Sequence, residues 1–128
     1  MIAYDNISDP PAPFLPVMLS NISQTQPKKS IPALLDTGSD VTAIPDTMVE
    51  RLQLTPIGRL QLENVDAETT IVFTYAIQLT IAEVTIPQLE VILTGFDFVV
   101  LGRDVLNRFY VLLNGPEFTL EIDTSPLI

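Results

Sequence analysis

The chain has no cysteine and no histidine. Without cysteine there is no disulfide scaffold and no thiolate nucleophile, and without either residue no zinc site built on Cys or His ligands. The missing imidazole also removes Ser-His-Asp and Cys-His mechanisms, which need it as their base. Cations are scarce. Six Lys plus Arg stand against sixteen Asp plus Glu, a formal net charge of −10. Such a chain repels phosphate backbones, so nucleic-acid binding is set aside. Long apolar runs are missing too: nothing approaches the roughly 20 residues of a membrane span. The first residues, MIAYDNISDPPAPF, lack the basic and apolar regions of a secretory signal. No membrane partner is expected, and cytoplasmic residence is the expectation, for the chain alone or within a longer precursor.

What is present is compact and apolar. The 128 residues fit one domain, large enough to bury a real core without metals or crosslinks. Hydrophobic residues make up 47% and charged ones 17%, more apolar than a small monomer needs, which points to a subunit interface. Any chemistry must come from carboxylates, hydroxyls, a few cations and backbone groups.

Eleven prolines against five glycines punctuate the chain. Pro10, Pro11, Pro13 and Pro16 sit in the first sixteen residues and give an extended lead-in, with residues 1–13 set ahead of a single domain over 14–128. Phe14 to Ser20 reads as a strand, Asn21 to Ser30 as a polar turn, and Ile31 to Leu35 as a second strand. A short strand at Val41 to Ile44 and a helix over Pro45 to Leu52 follow. From Ile57 the period becomes two. Residues 57–77 form a hairpin whose polar tip is Asn64 to Thr69, and its second strand runs from Ile71 to Ile81. Val84 to Ile86, Leu89 to Leu93 and Phe98 to Leu101 read as strands, and Asp104 to Phe109 as a helix. Tyr110 to Leu113 and Phe118 to Ile122 close the chain. The pattern is mostly β with two short helices.

One segment stands apart: Ala33-Leu34-Leu35-Asp36-Thr37-Gly38-Ser39-Asp40. An apolar strand delivers a carboxylate into a tight loop, where Gly38 permits close backbone approach and Thr37 bonds locally. Alone, these are ordinary turn residues. A second segment, Val99-Val100-Leu101-Gly102-Arg103-Asp104, lies about sixty residues on and leads into a helix. Together, Asp-Thr-Gly early and an apolar run with glycine and helix late resemble the retropepsin-like aspartic proteases. The resemblance spans Phe14 to Ile122, and Leu101 to Phe109 and Asn114-Gly115-Pro116 look like the bacterial and cellular single-domain members.

The resemblance implies an acid-protease β-barrel with one lobe per chain, acting on a peptide or protein substrate as a homodimer without metal or cofactor. Asp36 would be catalytic, one from each chain, the pair sharing a proton. Thr37 would link to the other subunit's loop and Gly38 would meet the substrate backbone. Ser39 would bond the outer oxygen of Asp36, favouring an optimum below neutrality. Asp40 would pair with Arg103 and brace the loop. The hairpin would be the flap, with Asn64, Val65, Asp66 and Ala67 at its tip; retroviral flap tips are glycine-rich and this one has none. Its acids suggest a cleft that disfavours acidic peptides. Phe118 to Ile122 would be interface material. Two alternatives stand beside this: a silent dimeric peptide-binding module, and a plain β-barrel interaction domain in which Asp36 merely ends a strand. A phosphate-site reading at Gly102 fails, because no Gly-rich loop or P-loop lysine accompanies it.

Overall fold

The structure is a computed structural model that describes residues 1–23 and 28–128. Ten strands and two one-turn helices are present among them. In chain order these are β1 (Ile2–Ala3), β2 (Phe14–Asn21), β3 (Lys29–Leu35), β4 (Ala43–Pro45), α1 (Met48–Arg51), β5 (Gly58–Glu63) and β6 (Thr69–Ile81). Then come β7 (Val84–Thr94), β8 (Val99–Leu101), α2 (Arg103–Leu106), β9 (Tyr110–Asn114) and β10 (Thr119–Asp123). The centre of the polar turn expected over Asn21 to Ser30, residues 24–27, lies outside the described residues.

Hydrophobic alternation builds the barrel. In β2 the buried residues are Leu15, Val17 and Leu19, and in β3 they are Ile31, Ala33 and Leu35. Each strand therefore turns one apolar face inward. The order β2-β3-β8-β4-β7-β6 closes because β6 also pairs with β2, at Met18↔Thr80 to Asn21↔Ile77. The result is a closed six-strand barrel without a free edge. Its centre holds Leu19, Ile77, Leu79, Val91, Val99 and Leu101, all essentially inaccessible to solvent. β5 lies outside the barrel, hydrogen-bonded only to the first half of β6. A second sheet, β1-β10-β9, packs Ile2, Val111, Leu120 and Ile122 against the core. The mostly β reading thus holds, with both helices short.

Several boundaries differ for local reasons. The helix expected over Pro45 to Leu52 shrinks to Met48–Arg51 because Asp46 N–H donates to the Thr94 carbonyl at 3.0 Å. That bond prolongs the β4–β7 ladder and holds Pro45 extended. The two strands expected at 84–86 and 89–93 are one, since a bulge absorbs Pro87. Ile86 faces Leu79 and Leu89 faces Ile77, so two residues oppose one and proline's missing donor costs no ladder bond. The last strand starts at Thr119 rather than Phe118, whose φ of 52° places it in the turn. The N-terminal lead-in also supplies a strand that composition hid, β1, antiparallel to β10 at Ile2↔Leu120 and Ala3↔Thr119.

Candidate active site

β3 and β8 run parallel in the barrel wall, with Leu34 beside Val100 and Leu35 beside Leu101. The ladder goes one residue further: Asp36 N–H donates to the Leu101 carbonyl at 3.0 Å. Asp36 is thus fixed by the barrel itself, and the chain then turns sharply. Ser39 N–H closes the turn on the Asp36 carbonyl at 3.2 Å, and Gly38 N–H donates to Asp36 Oδ1 at 2.9 Å. A Cβ on Gly38 would stand 3.2 Å from that same oxygen, so glycine leaves the carboxylate its room. Asp36 is half-buried, while Thr37 and Gly38 are exposed.

Ser39 corrects one expectation. Its hydroxyl donates to the Val41 carbonyl at 2.8 Å and not to Asp36. The bond spans two residues, a local turn of the kind serine makes readily, and Asp36 Oδ1 is already engaged by Gly38. The Ser39 hydroxyl therefore gives no support to an acid optimum.

The second segment locks onto the first. Arg103 N–H donates to the Ser39 carbonyl at 2.8 Å, and its guanidinium reaches the Thr37 carbonyl and forms an ion pair with Asp40. Asp40 is 79% and Arg103 43% exposed, so the pair adds about 0–1 kcal/mol at most. Its effect is to tie both ends of the Thr37–Asp40 loop to one side chain.

Sequence reasoning missed the buried half of this brace. Asp104 accepts the Thr42 hydroxyl at 2.7 Å, Thr42 N–H at 3.0 Å and Val105 N–H at 2.9 Å. The same Thr42 hydroxyl oxygen accepts Gly102 N–H at 3.1 Å. Thr42 is fully buried, and every buried side-chain polar atom in the cluster has a partner. No spacing signal links residues 62 apart in the chain; a threonine inside an apolar run was the only available cue.

The hairpin β5–β6 stands over this loop. Between them lies a cleft of about 730 Å³, walled by Gly38 to Val41 on one side and by Leu60 to Asn64 with Val72 on the other. At the tip, Asn64 Oδ1 accepts the N–H groups of Asp66 and Glu68 at 3.0 and 3.1 Å. Ala67 N–H donates to the Asn64 carbonyl at 3.0 Å, and Ala67 takes φ 61°. Asn64 lines the cleft; Val65, Asp66 and Ala67 are exposed beyond it. A left-handed alanine costs roughly 1–2 kcal/mol more than glycine there. Ala67→Gly is expected to raise stability by about 1 kcal/mol, read as a higher Tm, because the turn already has glycine's geometry. A lower Tm would show that the tip does not adopt this conformation.

Among the described residues, no cluster of three or more Asp or Glu side chains could hold a metal ion. No helix there is long and apolar enough to cross a membrane.

Residues 25–108 match the family model described as "gag-polyprotein putative aspartyl protease". No curated protein matches the chain. Among solved structures, a retropepsin-like aspartic protease from Rickettsia conorii superposes with a TM-score of 0.61 at 15% identity, over 94% of this chain and 86% of that one. EIAV protease in complex with an inhibitor gives 0.53 at 19% identity, over 75% and 86%. The foamy viral protease–reverse transcriptase bound to an RNA/DNA hybrid gives 0.56 at 22%, over 75% of this chain but only 12% of that far longer one. At these identities the likeness is one of fold.

Proposed function

Because the chain belongs to the gag-polyprotein aspartyl protease family and has the retropepsin-like fold, we propose that it is an aspartic endopeptidase whose catalytic group is Asp36. The observation that carries this is the placement of Asp36. It leaves a buried ladder into a loop braced at Thr37, Ser39, Asp40 and Thr42, below a hairpin that covers a peptide-sized cleft.

One chain supplies one such loop, and a lone carboxylate has no acid partner. Asp36 of one protomer therefore meets Asp36 of the partner subunit on a twofold axis. Two carboxylates about 3 Å apart cannot both ionise and so share one proton, the pattern known for aspartic-protease dyads in general. The ionised member takes a proton from water, and the water oxygen attacks the scissile carbonyl carbon. The protonated member gives its proton to the carbonyl oxygen. When the tetrahedral carbon collapses, the C–N bond breaks, the leaving nitrogen takes the proton that the first Asp36 drew from water, and one hydroxyl proton of the diol returns to the other Asp36. Thr37 and Gly38, exposed on the loop, face the partner's loop and the peptide backbone. The hairpin acts as the flap.

The partner's strand has a restricted choice. β10 is the middle strand of its sheet, with β9 on one edge and β1 on part of the other. Pairing between copies thus uses the outer edge of β9, the outer edge of the short β1 or the stretch of β10 beyond Leu120. A second reading, a silent dimeric peptide binder, draws on the flap tip, where Ala67 replaces the expected glycine.

The test is cleavage of a denatured protein between pH 3 and 7 across a range of enzyme concentration. Rate is expected to rise faster than linearly with concentration until dimer saturates, with sedimentation reporting the dimer in step. With −10 per chain, added salt should strengthen association by screening. Strictly proportional activity from a sedimenting monomer would end the shared-site mechanism. A dimer that cleaves nothing would favour the silent module.

A further inference from the structure

We propose that Glu90 is a positioning residue for the reaction: through the Thr74 hydroxyl it fixes the root of the β5–β6 hairpin, and so the height of the flap over Asp36. The inference rests on the protease reading and adds to it a residue outside the two loops of the site.

Thr74 is where β6 changes partner. Thr69 to Thr74 pair with β5, ending at Gly58↔Thr74, and the strand then pairs with β7 from Tyr75↔Val91 onward. The Thr74 carbonyl accepts Ile57 N–H at 2.8 Å, which closes the hairpin at its base. β5 has no other strand beside it, so the ladder of β6 alone carries the hairpin into the barrel. A strand passing from one partner to another can bend at the junction unless a side chain holds it. Here one does. The Thr74 hydroxyl donates to Glu90 Oε2 on β7 at 2.5 Å, the short range of a charge-assisted bond. Among the described residues, no other side-chain hydrogen bond ties residues 57–74 to the barrel. Glu90 enters no salt bridge among them either.

The pleat puts this bond beside the cleft. Thr70 and Val72 line the cleft, and Thr74 follows them on the same face of β6. Ile92 lines it too, and Glu90 precedes Ile92 on the same face of β7. The bond thus joins the inner face of the flap to the barrel strand that carries Ile92. That strand is also tied to the Asp36 loop, because Ile92 N–H donates to the Thr42 carbonyl at 3.1 Å and Asp104 holds Thr42. Flap and active-site loop are therefore both set by β7. Thr74 is fully buried and Glu90 exposed, so removing the carboxylate leaves a buried hydroxyl without its acceptor. A Cβ on Gly58 would stand 3.2 Å from the Thr74 hydroxyl oxygen and 3.6 Å from Glu90 Oε2, so glycine leaves the bond its room.

The experiment combines hydrogen–deuterium exchange by mass spectrometry with steady-state cleavage of one peptide. It compares wild type, Glu90→Ala, Glu90→Gln, Thr74→Val and the Glu90→Ala/Thr74→Val double variant. Glu90→Ala and Thr74→Val are each expected to speed exchange roughly 10-fold within residues 57–74, with β2, β3 and β8 unchanged. KM should rise roughly 10-fold while kcat stays within about 3-fold, since flap contacts hold the peptide in ground and transition states alike. The double variant should be no worse than Thr74→Val alone, because both changes remove one bond. Glu90→Gln should restore most of the protection and of KM, as its amide oxygen still accepts the hydroxyl. Cleavage by wild type with exchange over 57–74 unmoved in Glu90→Ala would overturn this inference alone. So would additive effects in the double variant, or faster exchange throughout the barrel, which would make the bond a support of the whole fold. A wild type that cleaves no peptide would overturn the protease reading and this inference with it.

Discussion

Asp36→Asn yields a folded protein whose cleavage of a denatured substrate falls by at least about 10³-fold. The change is nearly isosteric. The new amide can still accept Gly38 N–H through its oxygen, as the carboxylate does, and the backbone bond to Leu101 is untouched. Stability should therefore move by no more than about 1 kcal/mol. The chemistry has no such tolerance, because an amide neither takes a proton from water nor gives one to a carbonyl oxygen. General acid–base catalysis contributes typically about 10²–10⁴-fold, and each substituted dimer loses both functions together. Thermal melts beside a fluorogenic cleavage assay check both halves. Cleavage within about tenfold of wild type would place the reaction elsewhere and return Asp36 to the role of a strand-ending turn residue.

How much of this was legible in the sequence varies with the range of the interaction. The barrel strands were readable because Leu15, Val17 and Leu19, or Ile31, Ala33 and Leu35, alternate in the chain as they do in space. The two loops of the site were readable as motifs, with Asp36 to Gly38 in one and Gly102-Arg103 in the other. What failed depended on distant partners or on competition within a turn. Pro45 looks like the first turn of a helix until Thr94, far along the chain, claims Asp46 N–H for a sheet. Ser39 looks like a ligand for Asp36 until the local turn takes its hydroxyl to Val41. Two turns broke the usual residue preferences outright. Ala82 and Glu83 join β6 to β7 with φ 49° and 67°, where Asn-Gly would be the readable signal. Phe118, with φ 52°, is an aromatic in a conformation that ordinarily favours glycine. Tyr4 N–H donates to its carbonyl at 2.7 Å, so pairing from the N-terminal segment helps hold that turn.

Gly102→Ala should be the most damaging small substitution in the molecule. Gly102 has an ordinary extended backbone, with φ −87°, so conformation is not the obstacle. The obstacle is space. A Cβ there would stand 2.8 Å from the Val41 carbonyl carbon, 3.0 Å from the Ser39 carbonyl oxygen and 3.0 Å from Asp104 Oδ1. Two of those atoms are backbone and the third belongs to a carboxylate held by Thr42 and Val105, so none can rotate away. Overpacking of this kind costs typically about 1–3 kcal/mol and sometimes more. At roughly 4 °C per kcal/mol for a chain of this size, Tm should drop by about 4–12 °C. Activity should fall further than stability explains, because the loop forced outward is the one that carries Asp36. Assays well below the new Tm separate the two effects. Gly95→Ala and Gly115→Ala serve as internal controls, since a Cβ at either position meets nothing within 4 Å. Both are expected within about 0.5 kcal/mol of wild type. If Gly102→Ala behaves like them, the two loops are not in contact, and the brace that positions Asp36 does not exist.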